Sequence, residues 1–162
     1  MQFLEPYLDW PDVSMDELNK YYKAYEYHLR RVWHRFNSYT CSVFLGDMFH
    51  DSKLIDIELS KVAGMEKAVL ILTFQLYDGD IRYSFYEGVK QLDTHFLFNQ
   101  GVYGAYGAYG AYNTYDLLPD ILLSECTIEA GLCRHEYRFV DDMRLVILSE
   151  SVVIKDTVPM YL

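Results

Sequence analysis

Asp47-Met48-Phe49-His50-Asp51-Ser52 sets two carboxylates, an imidazole and a hydroxyl side by side in one short stretch. Groups of these types can ligate a divalent metal or move protons as general acid and base. A small metal-dependent hydrolase using Asp47, His50 and Asp51 is therefore one reading. A metal site, however, needs three or four converging ligands, and the sequence offers no second cluster. His34, His95 and His135 stand singly in different expected elements, without the i, i+4 or His-x-His spacing that brings two imidazoles to one ion. The plainer reading is that His50 and Asp51 orient the chain as it enters a strand, with Asp51 or Ser52 bonding local backbone groups in a turn. On that reading no metal, cofactor or catalytic residue is assigned, and the role of His50, Asp51 and Ser52 stays open.

The other conspicuous stretch is Tyr103-Gly104-Ala105-Tyr106-Gly107-Ala108-Tyr109-Gly110-Ala111-Tyr112, a three-residue repeat of Gly-Ala-Tyr. Its glycines follow neither the dinucleotide-binding nor the nucleotide-phosphate spacing. They also disfavour a regular helix or strand, so 100–115 is expected as a loop grown by duplication of a short unit. The competing reading is a contact surface built from Tyr103, Tyr106, Tyr109 and Tyr112, since tyrosine supplies large amphipathic area at low rotamer cost. Cys133 and His135 are two apart in an expected strand and share one face, which packing explains without thiol chemistry. No Gly-x-Ser-x-Gly elbow occurs.

These residues must be positioned by a scaffold whose elements the patterning indicates. Ser14-Met15-Asp16-Glu17 has capping-box spacing, with two acids at the positive end of a helix dipole. Leu18, Tyr21, Tyr22, Tyr25, Leu29, Val32, Trp33 and Phe36 then recur at threes and fours, predicting one amphipathic helix from Ser14 to Phe36. Its face of Tyr21, Tyr25, Leu29, Val32 and Phe36, with Trp33, is expected to lie on a sheet. After Asn37 and Ser38 the pattern is irregular until Ile55, Ile57 and Leu59 alternate with Asp56 and Glu58 as a half-solvated strand.

A turn near Gly64 precedes a strand at Lys67 to Leu76. Asp78-Gly79 marks a hairpin into Ile81, Tyr83 and Phe85, completing a three-stranded meander. The C-terminal third reads as four strands, Leu122 to Glu129, Cys133 to Phe139, Arg144 to Leu148 and Val152 to Lys155. Turns at Ala130-Gly131 and Asp141-Asp142 separate them, with no helical pattern long enough for parallel crossovers. The expected fold is one α+β domain over 1–162, a long N-terminal amphipathic helix packed on a mostly antiparallel sheet.

Composition narrows the function. Fourteen basic residues against twenty-four acidic ones give a net charge of −10, which repels nucleic acid and attracts basic partners. The three cysteines are odd in number and lack Cys-x-x-Cys spacing, so buried free thiols are expected. No apolar run approaches the length of a membrane span and the N-terminus lacks signal-peptide character, which predicts a cytoplasmic protein.

The order of elements, together with Phe49-His50-Asp51-Ser52-Lys53-Leu54-Ile55-Asp56-Ile57, resembles small uncharacterised bacterial proteins with a hydrophobic-His-Asp-Ser motif. Some of these look like immunity proteins encoded beside polymorphic toxins. The resemblance carries no catalytic residue, and 100–117 has no counterpart in it. It implies a non-enzymatic acidic protein that neutralises a basic toxin domain by direct contact. A homo-oligomeric assembly protein is a third reading, since an aromatic surface also suits self-association.

Overall fold

A computed structural model describes residues 1–9, 11–46, 48–60, 69–94, 120–140 and 143–157. The protein is α+β, and the described residues form two α-helices and two antiparallel four-stranded sheets. A 3-10 turn at Glu5–Asp9 precedes α1 (Met15–Val32). Ser14 caps α1 as its spacing predicts, its side chain accepting from the Glu17 N–H.

The helix stops short of Phe36. Trp33–Arg35 tightens into a 3-10 turn and Phe36 is extended, its N–H donating to the Trp33 carbonyl. Asn37 then starts a second helix, α2 (Ser38–Leu45), its Oδ1 accepting from the Thr40 N–H at 2.7 Å. The stretch expected to be irregular is thus helical, because Asn37 is a strong N-cap and the helix is too short to display amphipathic periodicity.

The first sheet has the order β1-β2-β3-β8, from β1 (Lys53–Ser60), β2 (Val69–Gln75), β3 (Ile81–Glu87) and β8 (Ser151–Lys155). The second is β4-β7-β6-β5, from β4 (Gln91–Thr94), β5 (Ile121–Glu129), β6 (Leu132–Phe139) and β7 (Arg144–Ser149). The meander β1-β2-β3 and the hairpin at Asp78-Gly79 match the sequence reading. The division into two sheets does not, because β3 continues into β4 and β7 into β8 through a shared corner. There the Glu150 N–H donates to the Glu87 carbonyl at 3.0 Å and the Lys90 N–H to Leu148 at 2.7 Å. Gly88 makes the corner possible: its φ is +60°, and a Cβ there would come within 2.5 Å of the Glu150 carboxyl carbon.

The opposite margin is also joined. The Asp51 N–H donates to the Ile121 carbonyl, and the Ile121 N–H to Ser52, both at 2.9 Å. Between the sheets lies the main core, with Leu54, Leu72, Phe74 and Tyr86 from the first sheet meeting His135, Tyr137, Phe139 and Ile147 from the second. Val43 and Phe44 of α2 and Phe49 complete it.

From α1, Leu18, Tyr25 and Leu29 are buried, and the Tyr25 hydroxyl accepts the Cys126 N–H at 2.9 Å. That contact satisfies a buried donor on β5, the margin strand of the second sheet. Tyr21, Val32 and Phe36 are only partly buried, and Trp33 is 39% exposed, so the expected apolar face is narrower than its periodicity suggests. The 3-10 turn rotates Trp33 off the helical stripe. Among the described residues no helix is long and apolar enough to cross a membrane.

Candidate functional site

Phe49 anchors the His-Asp-Ser segment. Its ring is fully buried, 4.7 Å from Phe74 and 5.4 Å from Tyr137 between centroids. Ser52 is buried as well, and both its N–H and its hydroxyl donate to the Phe49 carbonyl, the latter at 2.6 Å. Asp51 adopts φ +60°, a left-handed conformation that Asp tolerates better than most residues. The turn therefore points its polar tips outward while its backbone ties β1 to β5. His50 Nδ1 lies 3.1 Å from Asp51 Oδ2, with both side chains more than half exposed. Asp47 lies outside the described residues. Among those described, no three His, Cys, Asp or Glu side chains are grouped so as to hold a metal ion.

A buried arginine braces the same segment. Arg82 of β3 donates to the Met48 carbonyl at 3.0 Å and to Asp156 at 2.9 Å, and its guanidinium lies over the Tyr39 ring. Tyr39 also donates to Asp156. Burial works to raise the Asp156 carboxyl, but the Tyr39 hydroxyl and Arg82 outweigh it and hold the group below its ordinary value. These bonds join the C-terminal end of β8 to α2 and to the turn ahead of β1, so they maintain structure.

The second concentration of polar groups sits at the centre of the molecule. The Tyr86 hydroxyl is 2.7 Å from His135 Nδ1 and 2.8 Å from the Tyr137 hydroxyl, which is 3.4 Å from Ser84 Oγ. All four residues are fully buried. Burial pushes the His135 imidazole down to about 3 and raises both phenols. His135 is therefore neutral at physiological pH. A substrate would have to displace the core to reach it, so the cluster acts as a polar clasp between the sheets. The sequence placed Cys133 and His135 on one face correctly, but held no sign that the Tyr86 hydroxyl, from the other sheet, meets the imidazole and in turn the Tyr137 hydroxyl. Cys41, Cys126 and Cys133 are buried free thiols, and desolvation raises all three, Cys41 to about 11.

On the surface both signs of charge occur on α1, where Asp16 and Glu17 lie in its first turn and Arg30 pairs with Glu26. The exposed side of α1 carries Lys20, Lys23, Arg30 and Arg31 around Tyr27, which is 65% exposed. The outer face of the first sheet is different in character. Strand register aligns Glu58, Ile71, Phe85 and Val153 in one row. Asp56, Thr73, Tyr83 and Lys155 form the next row, and Ser60, Val69, Glu87 and Ser151 the third. Val69, Ile71 and Phe85, with Tyr83, make a second apolar cluster separate from the main core. Asp56, Glu58 and Glu87 are exposed around it, with Asp78 and Asp80 at the hairpin tip.

Tyr103, Tyr106, Tyr109 and Tyr112 lie outside the described residues. No protein-family model matches the chain, and neither the curated proteins nor the solved structures compared with it include a match.

Proposed function

We propose that this is a non-enzymatic binding protein of the cytoplasm that receives a basic protein partner, in the manner of an immunity protein masking a toxin domain. The observation that carries the reading is the outer face of the first sheet, an apolar centre of Ile71, Phe85 and Tyr83 rimmed by Asp56, Glu58 and Glu87. An apolar centre within a charged rim is the usual anatomy of a protein interface. In this reading α1, with Tyr25 and Leu29 inward, packs on the second sheet as its support. Val69, Ile71 and Phe85 retain only 5–8% exposure, so most new contact area comes from Tyr83, the Lys155 stem and the acidic rim. Attraction between the acidic rim and a basic partner then raises the association rate, and salt weakens it. Tyr103, Tyr106, Tyr109 and Tyr112 add contact area on the chemistry of their side chains.

The experiment measures association of the purified protein with each protein encoded beside its gene. It is repeated after the triple change Asp56→Lys, Glu58→Lys, Glu87→Lys and after Lys20→Glu, Lys23→Glu. The expected result is a complex whose association the sheet variant slows about tenfold or more and the helix variant leaves intact. Absence of any complex, or sensitivity to the helix variant alone, overturns the reading.

A further inference from the structure

Leu59 and Leu92 face the interior of the sandwich and are nevertheless open to solvent. Leu59 lies opposite Leu70 and Leu92 opposite Ile147, and both of those partners belong to the main core. Yet Leu59 is 69% and Leu92 43% exposed, against 2% and 0% for the residues they pair with. The two leucines belong to β1 and β4, each a margin strand of its sheet, so the sandwich gapes along this side. A groove of about 600 Å³ runs there, lined by Ile57, Leu59, Leu70, Val89 and Leu92 among others.

The margin of β1 is open in its backbone as well. On the two far margins the helices supply acceptors: Thr40 of α2 takes the Ile154 N–H of β8, and Tyr25 of α1 the Cys126 N–H of β5, both at 2.9 Å. On β1 the Ile57 N–H instead bonds the carboxylate of its own neighbour Asp56 at 2.9 Å. That N–H therefore points away from the β2 ladder, and alternation turns the Leu59 N–H the same way. Among the described residues no strand lies on that side of β1. The bulge between Leu54 and Asp56 comes earlier, and Asp56 to Ser60 pair with β2 in unbroken register. A regular edge of this kind is a template for another extended segment.

The chemistry of that segment follows from the register. Residues set opposite Ile57 and Leu59 would share their face and enter the groove, while those set opposite Asp56 and Glu58 would share the outer face. The groove suits apolar side chains, and the exposed Asp56 and Glu58 suit cations. Lys90 also lines the groove but is held by Glu150 at 2.8 Å. A second copy of this chain fits poorly, because β1 paired antiparallel with itself about Asp56, Ile57 or Glu58 sets acid against acid.

We propose that the open margin of β1 takes up an extended segment of a basic protein as an added strand, its apolar residues seated on Leu59 and Leu92 and its alternate lysines or arginines beside Asp56 and Glu58. This rests on the reading of a basic partner given above and names how part of that partner is held.

The experiment titrates the full chain with the end-blocked peptide Lys-Val-Lys-Ile-Lys-Val-Lys and with a control of the same residues in which the lysines are grouped. Binding and amide exchange at Ile57 and Leu59 are read for the protein, for Leu59→Gln with Leu92→Gln, and for Asp56→Asn with Glu58→Gln. All four changes are at exposed side chains, and thermal midpoints establish that the variants fold. The alternating peptide is expected to slow exchange at both amides at least about tenfold, and the grouped control to leave them unchanged. Each double variant is expected to weaken binding about tenfold or more, and the charge variant also to reduce its salt dependence. Equal effects of the two peptides, or no binding, overturn the proposal. So does slow exchange at both amides before peptide is added, which would mean that the margin is already covered by the chain itself or by a second copy. Binding that the charge variant abolishes while the leucine variant and the two amides stay unaffected overturns the strand site and leaves the outer-face reading standing. Peptide capture at these amides without any complex among the neighbouring proteins would have the opposite meaning, retaining the strand site and sinking that reading.

Discussion

The phenolic hydroxyl of Tyr86 lies 2.7 Å from His135 Nδ1 and fastens the inner faces of the two sheets where both side chains are fully buried. Burial holds the imidazole at about 3, whereas in the unfolded chain it titrates near 6.5. Across that interval the unfolded state binds a proton that the folded state refuses. Stability is therefore complete above the unfolded value and declines as pH falls through the interval, with a slope approaching about 1.4 kcal/mol per pH unit. Glu136 adds to the loss at the acid end. Burial works to raise it, but the Met1 ammonium and Arg134 hold it below its ordinary value, so its contribution disappears as it protonates. Urea unfolding at about pH 7 and about pH 5 checks this, and equal stabilities would show that His135 is hydrated or charged in the fold.

On α1 and the turn that ends it, the aromatic residues Tyr25 and Trp33 should respond very differently to substitution. Tyr25→Phe keeps the ring but leaves the buried Cys126 N–H without its acceptor, a loss of about 1–3 kcal/mol. Trp33→Ala removes a larger side chain, yet its exposure limits the cost to below about 1 kcal/mol. Chemical denaturation of the two variants decides it. A larger loss at Trp33 would mean that the helical stripe continues past Val32.

That contrast shows what the sequence could carry. The Ser14 cap, the strand through Ile55 and Ile57, and the Asp78-Gly79 turn are local signals, and the structure has each where the residues put it, although Leu59, expected on the covered face of that strand, is 69% exposed. The end of α1 is less legible, because Trp33 fits the threes-and-fours pattern while Asn37, four residues on, already caps another helix. The pairing of β3 with β8 and of β4 with β7 depends on a corner at Gly88. Nothing in its neighbours Glu87 and Val89 announces that corner. The clasp of Tyr86, Tyr137 and His135 and the seat of Met1 on Glu136 both join residues far apart in the chain. Their partners follow from topology, which side-chain periodicity does not encode.

In the His-Asp-Ser turn the three side chains should separate by what each one holds. His50→Ala removes only an exposed contact with Asp51 and should change stability by less than about 0.5 kcal/mol. Asp51→Ala places an ordinary residue at φ +60° and should cost about 1 kcal/mol. Ser52→Ala removes a buried hydroxyl that donates to Phe49, with a similar cost of about 1 kcal/mol. Thermal melts of the three variants test the order. A loss at His50 as large as that at Ser52 would contradict the structural reading of the turn.

Two backbone positions with positive φ should respond to substitution with opposite sign. Ala130 and Gly131 form the tight turn between β5 and β6 at φ 49° and 81°, so both central residues are left-handed. Asn-Gly is the favoured pair in such a turn, and alanine bears a steric penalty there. Ala130→Asn should therefore stabilise the protein by up to about 1 kcal/mol, through the backbone conformation alone. At Gly88 the reverse holds. Alanine would meet the same left-handed penalty, and its Cβ would lie 2.5 Å from the Glu150 carboxyl carbon and 2.7 Å from Cγ. Glu150 would have to move, breaking its 2.8 Å ion pair with Lys90, although that pair is half exposed and contributes little. The summed cost of Gly88→Ala should be about 2 kcal/mol, most of it from the backbone. Denaturant midpoints that shift in opposite directions at unchanged slope are the expected result. A neutral Gly88→Ala would mean that the corner joining the two sheets does not require its left-handed glycine.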